Sequence, residues 1–204
     1  MSVFTSSLPV SDRFTHSQLN VKLPIPTHDF TDQTIIVTGA NSGLGFEAAR
    51  HFVRLNAAKV IMAVRSRAKG EAAKADIESS TGRKGVVDVY ELDLACYESV
   101  KRFAEQISML PRVDAVVQNA GILMQEYEVV EDNESSITVN VVSTILLAIL
   151  LLPVLRRSAE NFGTLPKMSV VSSGSHVFVQ FPESAAARIL ETLNDKKTAN
   201  MRDR

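Results

Sequence analysis

Cysteine is nearly absent: Cys96 is the single one in 204 residues, so an internal disulfide is excluded and a thiolate metal cluster with it. Tryptophan is missing, and only three tyrosines occur, Tyr90, Tyr97 and Tyr127. Excess charge of either sign is lacking too. Lys+Arg 22 against Asp+Glu 23 leaves a formal net charge of −1, which supplies no field for gathering nucleic acid or an anionic membrane surface. Segment 1–20 has neither the basic start nor the apolar core of a secretory signal. The most apolar run, 141–155 (VVSTILLAILLLPVL), is interrupted by Ser143, Thr144 and Pro153 and falls short of a membrane span. It reads instead as a helix buried on most of its circumference. Hydrolytic signatures are missing as well: GxSxG and HExxH do not occur, and His16, His28, His51 and His176 show no ligand spacing. A cytoplasmic protein with no nucleic-acid partner, no metal and no membrane span is expected.

What is present is a balanced globular composition, 45% hydrophobic and 22% charged, enough for one ordinary domain. Residues 1–30 carry Pro9, Pro24 and Pro26 among polar residues with no sustained period, and read as an N-terminal extension to a domain over 31–204. From there short β-branched runs alternate with helix-period segments. Strands are predicted at 34–38, 59–64, 86–92, 113–117 and 168–172, and helices at 44–55, 69–79, 98–110 and around 141–152. Strands separated by helices of this length pair in parallel through right-handed crossovers. The fold class is α/β, a doubly wound parallel sheet, Rossmann-like.

The first strand runs into Thr38-Gly39-Ala40-Asn41-Ser42-Gly43-Leu44-Gly45, where the next helix opens. Glycines at a strand-to-helix turn let backbone approach a diphosphate, whose charge is stabilised by the unpaired N–H groups and dipole of the helix start. The spacing is TGxxxGxG rather than GxGxxG. About 20 residues on, where an Asp or Glu would hold a ribose hydroxyl, stands Arg65, with Ser66 and Arg67 after it. A guanidinium there suits a 2′-phosphate through bidentate bonds and favours NADP(H); a solvated arginine before a helix is the plainer alternative.

In this loop, and in motifs that follow it in order, the chain resembles the short-chain dehydrogenase/reductase family, in its fungal and retinol-dehydrogenase-like branch. Gln118-Asn119-Ala120-Gly121 is similar to the family's NNAG, Asp93-Leu94 to its DL element, Asn140 to its helix asparagine, and Val170-Val171-Ser172-Ser173 to the strand that delivers the catalytic serine. The resemblance implies an NADP(H)-dependent oxidoreductase interconverting a ketone and a secondary alcohol, of the kind that tailors fungal secondary metabolites. By the same resemblance Thr38, Gly39, Asn41, Ser42, Gly43, Leu44, Gly45, Arg65, Asp93, Leu94, Asn119, Ala120 and Gly121 hold the cofactor. Ser173 binds the reacting oxygen and Asn140 anchors a proton-relay water. Each also has a plainer reading. Asp93 can simply start a turn, Asn119-Ala120-Gly121 can simply end a strand, and Asn140 can be a core amide bonded to backbone.

The family's acid/base is a tyrosine in YxxxK after the serine, and here all three tyrosines precede it. Tyr97-Glu98-Ser99-Val100-Lys101 matches the pattern but stands at the start of the wrong helix, so it is a decoy. Residues 174–204 resemble the branch's insertion between serine and tyrosine, with Asn200-Met201-Arg202-Asp203-Arg204 resembling the approach to the tyrosine. The expectation is therefore a sheet incomplete at its C-terminal edge, a truncated domain and impaired activity, with a non-catalytic nucleotide-binding or dimerising remnant as the alternative. The apolar helix around 141–152 implies a homodimer by the same resemblance.

Overall fold

The computed structural model describes residues 10–174, 179–199 and 201. A five-stranded parallel sheet forms its centre, built from β1 (Thr34–Thr38), β2 (Lys59–Val64), β3 (Val87–Glu91), β4 (Ala115–Gln118) and a last strand at Lys167–Val170. Two two-residue strands, β5 (Val129–Val130) and β6 (Asn133–Glu134), make a small antiparallel hairpin, so the last sheet strand is β7. The order is β3-β2-β1-β4-β7, with Ile36 opposite Ile61 and Val116, which is the doubly wound arrangement the alternation predicts.

Period-2 alternation divides the sheet's side chains into two cores. Ile36, Ile61, Ala63 and Val116 pack with Val100, Phe103 and Ile107 of α4 (Tyr97–Ser108) and with Leu147 and Leu151 of α6 (Thr144–Phe162). Ile35, Val37, Val60, Met62 and Val64 pack with Ala49 and Val53 of α2 (Gly43–Arg54) and with Ala73 and Ile77 of α3 (Arg67–Thr81). β1 and β2 are buried on both faces, hence their continuous apolar runs.

Four features depart from the sequence reading. A helix, α1 (Val10–Asn20), forms inside the segment read as patternless; its described side chains are largely exposed, so no apolar stripe announced it. The apolar run does not stop at its proline. A short α5 (Ser135–Ile137), a π-helical segment (Thr138–Ser143) and α6 form one 28-residue helical stretch, Ser135–Phe162, long and apolar enough by composition to cross a membrane. Here it covers one face of the sheet. Pro153 lacks an N–H, a defect costing about 3 kcal/mol in a helix interior. Burial of Leu151, Val154 and Leu155 holds the helix together across it, as do two tertiary anchors. Ser158 Oγ accepts from the Val113 N–H (2.8 Å), and Arg157 donates to the Ser108 and Leu110 carbonyls.

The helix is also less enclosed than expected: Val141, Ile145, Ile149 and Leu152 form an outward stripe 43–58% exposed. Finally, the last strand ends at Val170, not Ser172, although the Val171 N–H still reaches the Gln118 carbonyl (2.8 Å). Among the described residues β7 pairs only with β4 and so stands at the edge of the sheet.

Candidate functional site

β1 ends at Thr38, and the chain turns through Gly39 at φ +65°. A Cβ there would stand 3.0 Å from Ala120 Cα, so the two crossover loops touch backbone to backbone. Thr38 is buried, and its hydroxyl accepts from the N–H groups of Asn119 (3.0 Å) and Ala120 (2.9 Å), while Asn119 Nδ2 donates to the Thr38 carbonyl. Thr38 and Asn119 thus brace the loop from behind. Gly45 completes the approach, because a Cβ on it would lie 2.4 Å from Asn119 Nδ2 and 2.6 Å from the Gly39 carbonyl oxygen.

Above this clamp α2 begins at Gly43 (φ +58°), with nothing within 4 Å of where its Cβ would be. Ser42 occupies the cap position in an extended conformation and makes no side-chain capping bond, and the first turn carries no acidic residue. Leu44 is 79% exposed. The positive end of α2 is therefore uncapped and open, which is what an anion requires.

A cavity of about 370 Å³ extends from this turn. Gly39, Asn41, Arg65, Asp93, Leu94, Ala120 and Gly121 all line it, so seven of the residues singled out in the sequence converge on one space. Sequence reasoning missed the rest of its wall: Ile122, Met124 and Glu128 from the loop after Gly121, Val130 from the hairpin, and Ser135 and Val139 from the helical stretch after it. Two-residue strands carry no periodic signal, so nothing marked them. A larger groove, about 600 Å³, lies at the outer edge of β3 between Arg67 and Arg102 and contains none of the glycine-loop residues.

Each residue left with two readings in the sequence has a definite local setting. Asp93 does start a turn, its Oδ1 accepting from the Ala95 N–H (2.9 Å), and it also faces the cavity. Asn140 lies in the π-helical segment and bonds backbone at both ends of its amide: Nδ2 donates to the Ile122 carbonyl (2.8 Å) and Oδ1 accepts from the Ile122 N–H (2.9 Å). It fixes the Gly121-Ile122 rim. Ser173 lies three residues beyond the end of β7, exposed, and is not among the residues lining the cavity. The Tyr97 hydroxyl accepts from Asn133 Nδ2 (3.2 Å), and Lys101 pairs with Glu98 (3.0 Å), so both residues of the decoy motif have structural partners. Among the described residues no metal-binding cluster occurs; His176, Asn200 and 202–204 lie outside them.

Residues 33–189 match the sequence profile of the short chain dehydrogenases. The chain belongs to this family. Among the relatives of this short-chain dehydrogenase, anuD of Penicillium roqueforti is 49% identical over 191 residues, covering 94% of this chain and 50% of anuD. The short chain dehydrogenase/reductase dmxR8 of Cryptosporiopsis sp. is 50% identical over 190 residues, covering 91% of this chain and 59% of dmxR8. The chain thus spans about half to six-tenths of these curated relatives. A solved short chain dehydrogenase from Escherichia coli CFT073, complexed with NADPH, superposes with a TM-score of 0.62 at 30% identity, covering 76% of this chain and 65% of that one.

Proposed function

We propose that this chain binds NADP(H) and supplies the nucleotide-binding part of an oxidoreductase that interconverts a ketone and a secondary alcohol. The observation that carries the reading is the meeting, on a single cavity, of Arg65 with Gly39 and Asn41 of the turn that leads into the uncapped α2 start. The amides at Asn41 to Gly45 would receive the diphosphate, Arg65 the 2′-phosphate, Asp93 the adenine amino group, and the Ala120-Gly121 backbone would let the nicotinamide ribose lie close. When bound, the cofactor supplies or accepts a hydride at the nicotinamide ring. The residues fit such a group: the glycine turn is open where a side chain would intrude, and the E. coli relative of this fold is solved with NADPH.

The substrate's reacting oxygen would be held by Ser173, whose hydroxyl stabilises charge developing there, while Asn140 keeps the Gly121-Ile122 rim of the cavity in place. A proton donor of the YxxxK type is not among these 204 residues after Ser173. A small carbonyl or alcohol in fungal secondary metabolism is the substrate class we favour, on the strength of its fungal relatives. A second reading, a non-catalytic subunit that pairs with a copy of itself, is favoured by the exposed Val141, Ile145, Ile149 and Leu152 stripe.

The test is a pair of titrations with NADPH and NADH. The parent chain should prefer NADPH, and Arg65→Ala should weaken NADPH by roughly 10- to 100-fold, the worth of a charge-assisted pair, with NADH little changed. Equal loss for both cofactors, or none for either, would remove Arg65 from the reading.

A further inference from the structure

The stretch that follows the serine strand contains a 3-10 turn (Pro182–Ala185) and the short helix α7 (Ile189–Leu193). Most of its polar side chains bond within the stretch. Arg188 pairs with Glu191, the Thr192 hydroxyl donates to the Arg188 carbonyl, and Asp195 Oδ1 accepts from the Lys197 N–H. Asn194 does not. Its Oδ1 accepts from the Glu134 N–H (2.8 Å), 60 residues away, its Nδ2 donates to Asn133 Oδ1, and its carbonyl accepts from the Tyr127 hydroxyl. Lys196 adds a cation–π contact over the Tyr127 ring at 5.9 Å.

The partners of Asn194 adjoin residues that line the cavity. Val130 and Ser135, which line it, flank Asn133 and Glu134 in the chain. The hairpin they form turns through Glu131 at φ +54°, a left-handed conformation that a glutamate adopts only under constraint. The constraint is visible: Glu131 Oε1 accepts from the Tyr97 N–H (2.8 Å), and Asn133 Nδ2 donates to the Tyr97 hydroxyl. Glu134 is wholly buried and caps the helix start, its Oε1 accepting from the Ser135 hydroxyl and the Ser136 N–H. Its own N–H, one of the donors a helix leaves over at its N-terminus, is the one that Asn194 satisfies.

We propose that Asn194 is a positioning residue that ties the stretch after the serine strand to the hairpin wall of the nucleotide cavity. The stretch is then part of the site and not a spacer, and the fit of the cofactor depends on a residue that never touches it. This rests on the reading of the cavity as the NADP(H) site.

The test uses the full chain, NADPH as probe, and two readouts: NADPH affinity, and amide exchange over 128–136 without nucleotide. Asn194→Ala leaves the Glu134 N–H and Asn133 Oδ1 unpaired, and should weaken NADPH by about 5- to 10-fold and speed exchange in the hairpin by about tenfold. Asn194→Asp should restore both to within about threefold of the parent. The carboxylate still accepts from Glu134, and the Asn133 amide can turn over to donate to it, with the Tyr97 hydroxyl donating in its place. Asn133→Ala combined with Asn194→Ala should be no worse than Asn194→Ala alone, because the two act through one link. If exchange quickens but NADPH affinity stays within about twofold, the link is only structural and the proposal is overturned; it is overturned equally if neither readout moves. If the parent itself binds no NADPH, the reading of the cavity fails first, and the proposal with it.

Discussion

The two sides of the sheet are built to different standards of enclosure. On the β3-β2-β1 side, every residue of β1 after Thr34 and of β2 after Lys59 is buried, sealed between α2 and α3 on one face and α4 and α6 on the other. On the β4-β7 side, Val170 and Val171 are 51% and 49% exposed, and the α6 stripe stands open. The difference separates two jobs. The sealed side encloses the strands that carry the glycine-rich turn, whereas the open side presents apolar surface at Val170, Val171 and the α6 stripe.

That contrast can be broken from either direction. The largest effect is expected at Leu151, fully buried where α6 meets the sheet: Leu151→Ala should cost about 2–5 kcal/mol in chemical denaturation, through lost transfer energy and a cavity. A cost under 1 kcal/mol would mean that the α6 layer is not packed as described. Next comes Gly45→Val, which forces a side chain between Asn119 and the Gly39 carbonyl. It should cost about 1–3 kcal/mol by overpacking, and NADPH binding should disappear with it. Smallest is Ile149→Glu on the open stripe, 58% exposed, which should leave stability within about 0.5 kcal/mol yet convert any dimer to monomer in sedimentation. Loss of folding there would show that the stripe is already covered.

Legibility in the sequence followed the same division. Strands with continuous β-branched runs, 34–38 and 59–64, have in the structure the bounds read from their composition, because burial on both faces leaves only one kind of residue to use. The ends of α2, α3 and α4 moved by one or two residues, and Gly39, Asn41, Arg65 and Asp93 meet on one cavity because each follows the end of a neighbouring parallel strand. What escaped notice depends on distant partners. The β5-β6 hairpin is two residues per strand and is held by Tyr97 and Asn194, so no local pattern encodes it. The continuation of α6 through Pro153 likewise depends on Ser158 and Arg157 meeting the C-terminal end of α4 and the loop that follows it. Ser173 lies past the end of regular structure, where alternation carries no information.

The central claim is that the glycine-rich turn at the end of β1 receives a dinucleotide's diphosphate at the start of α2. Hydrogen exchange on the full chain with and without saturating NADPH tests this most directly. The account predicts that the amides of 41–46 slow by about tenfold or more on binding, together with those around Arg65, and that Gly45→Val abolishes the protection. Unchanged exchange there, or protection confined to the groove between Arg67 and Arg102, would contradict it.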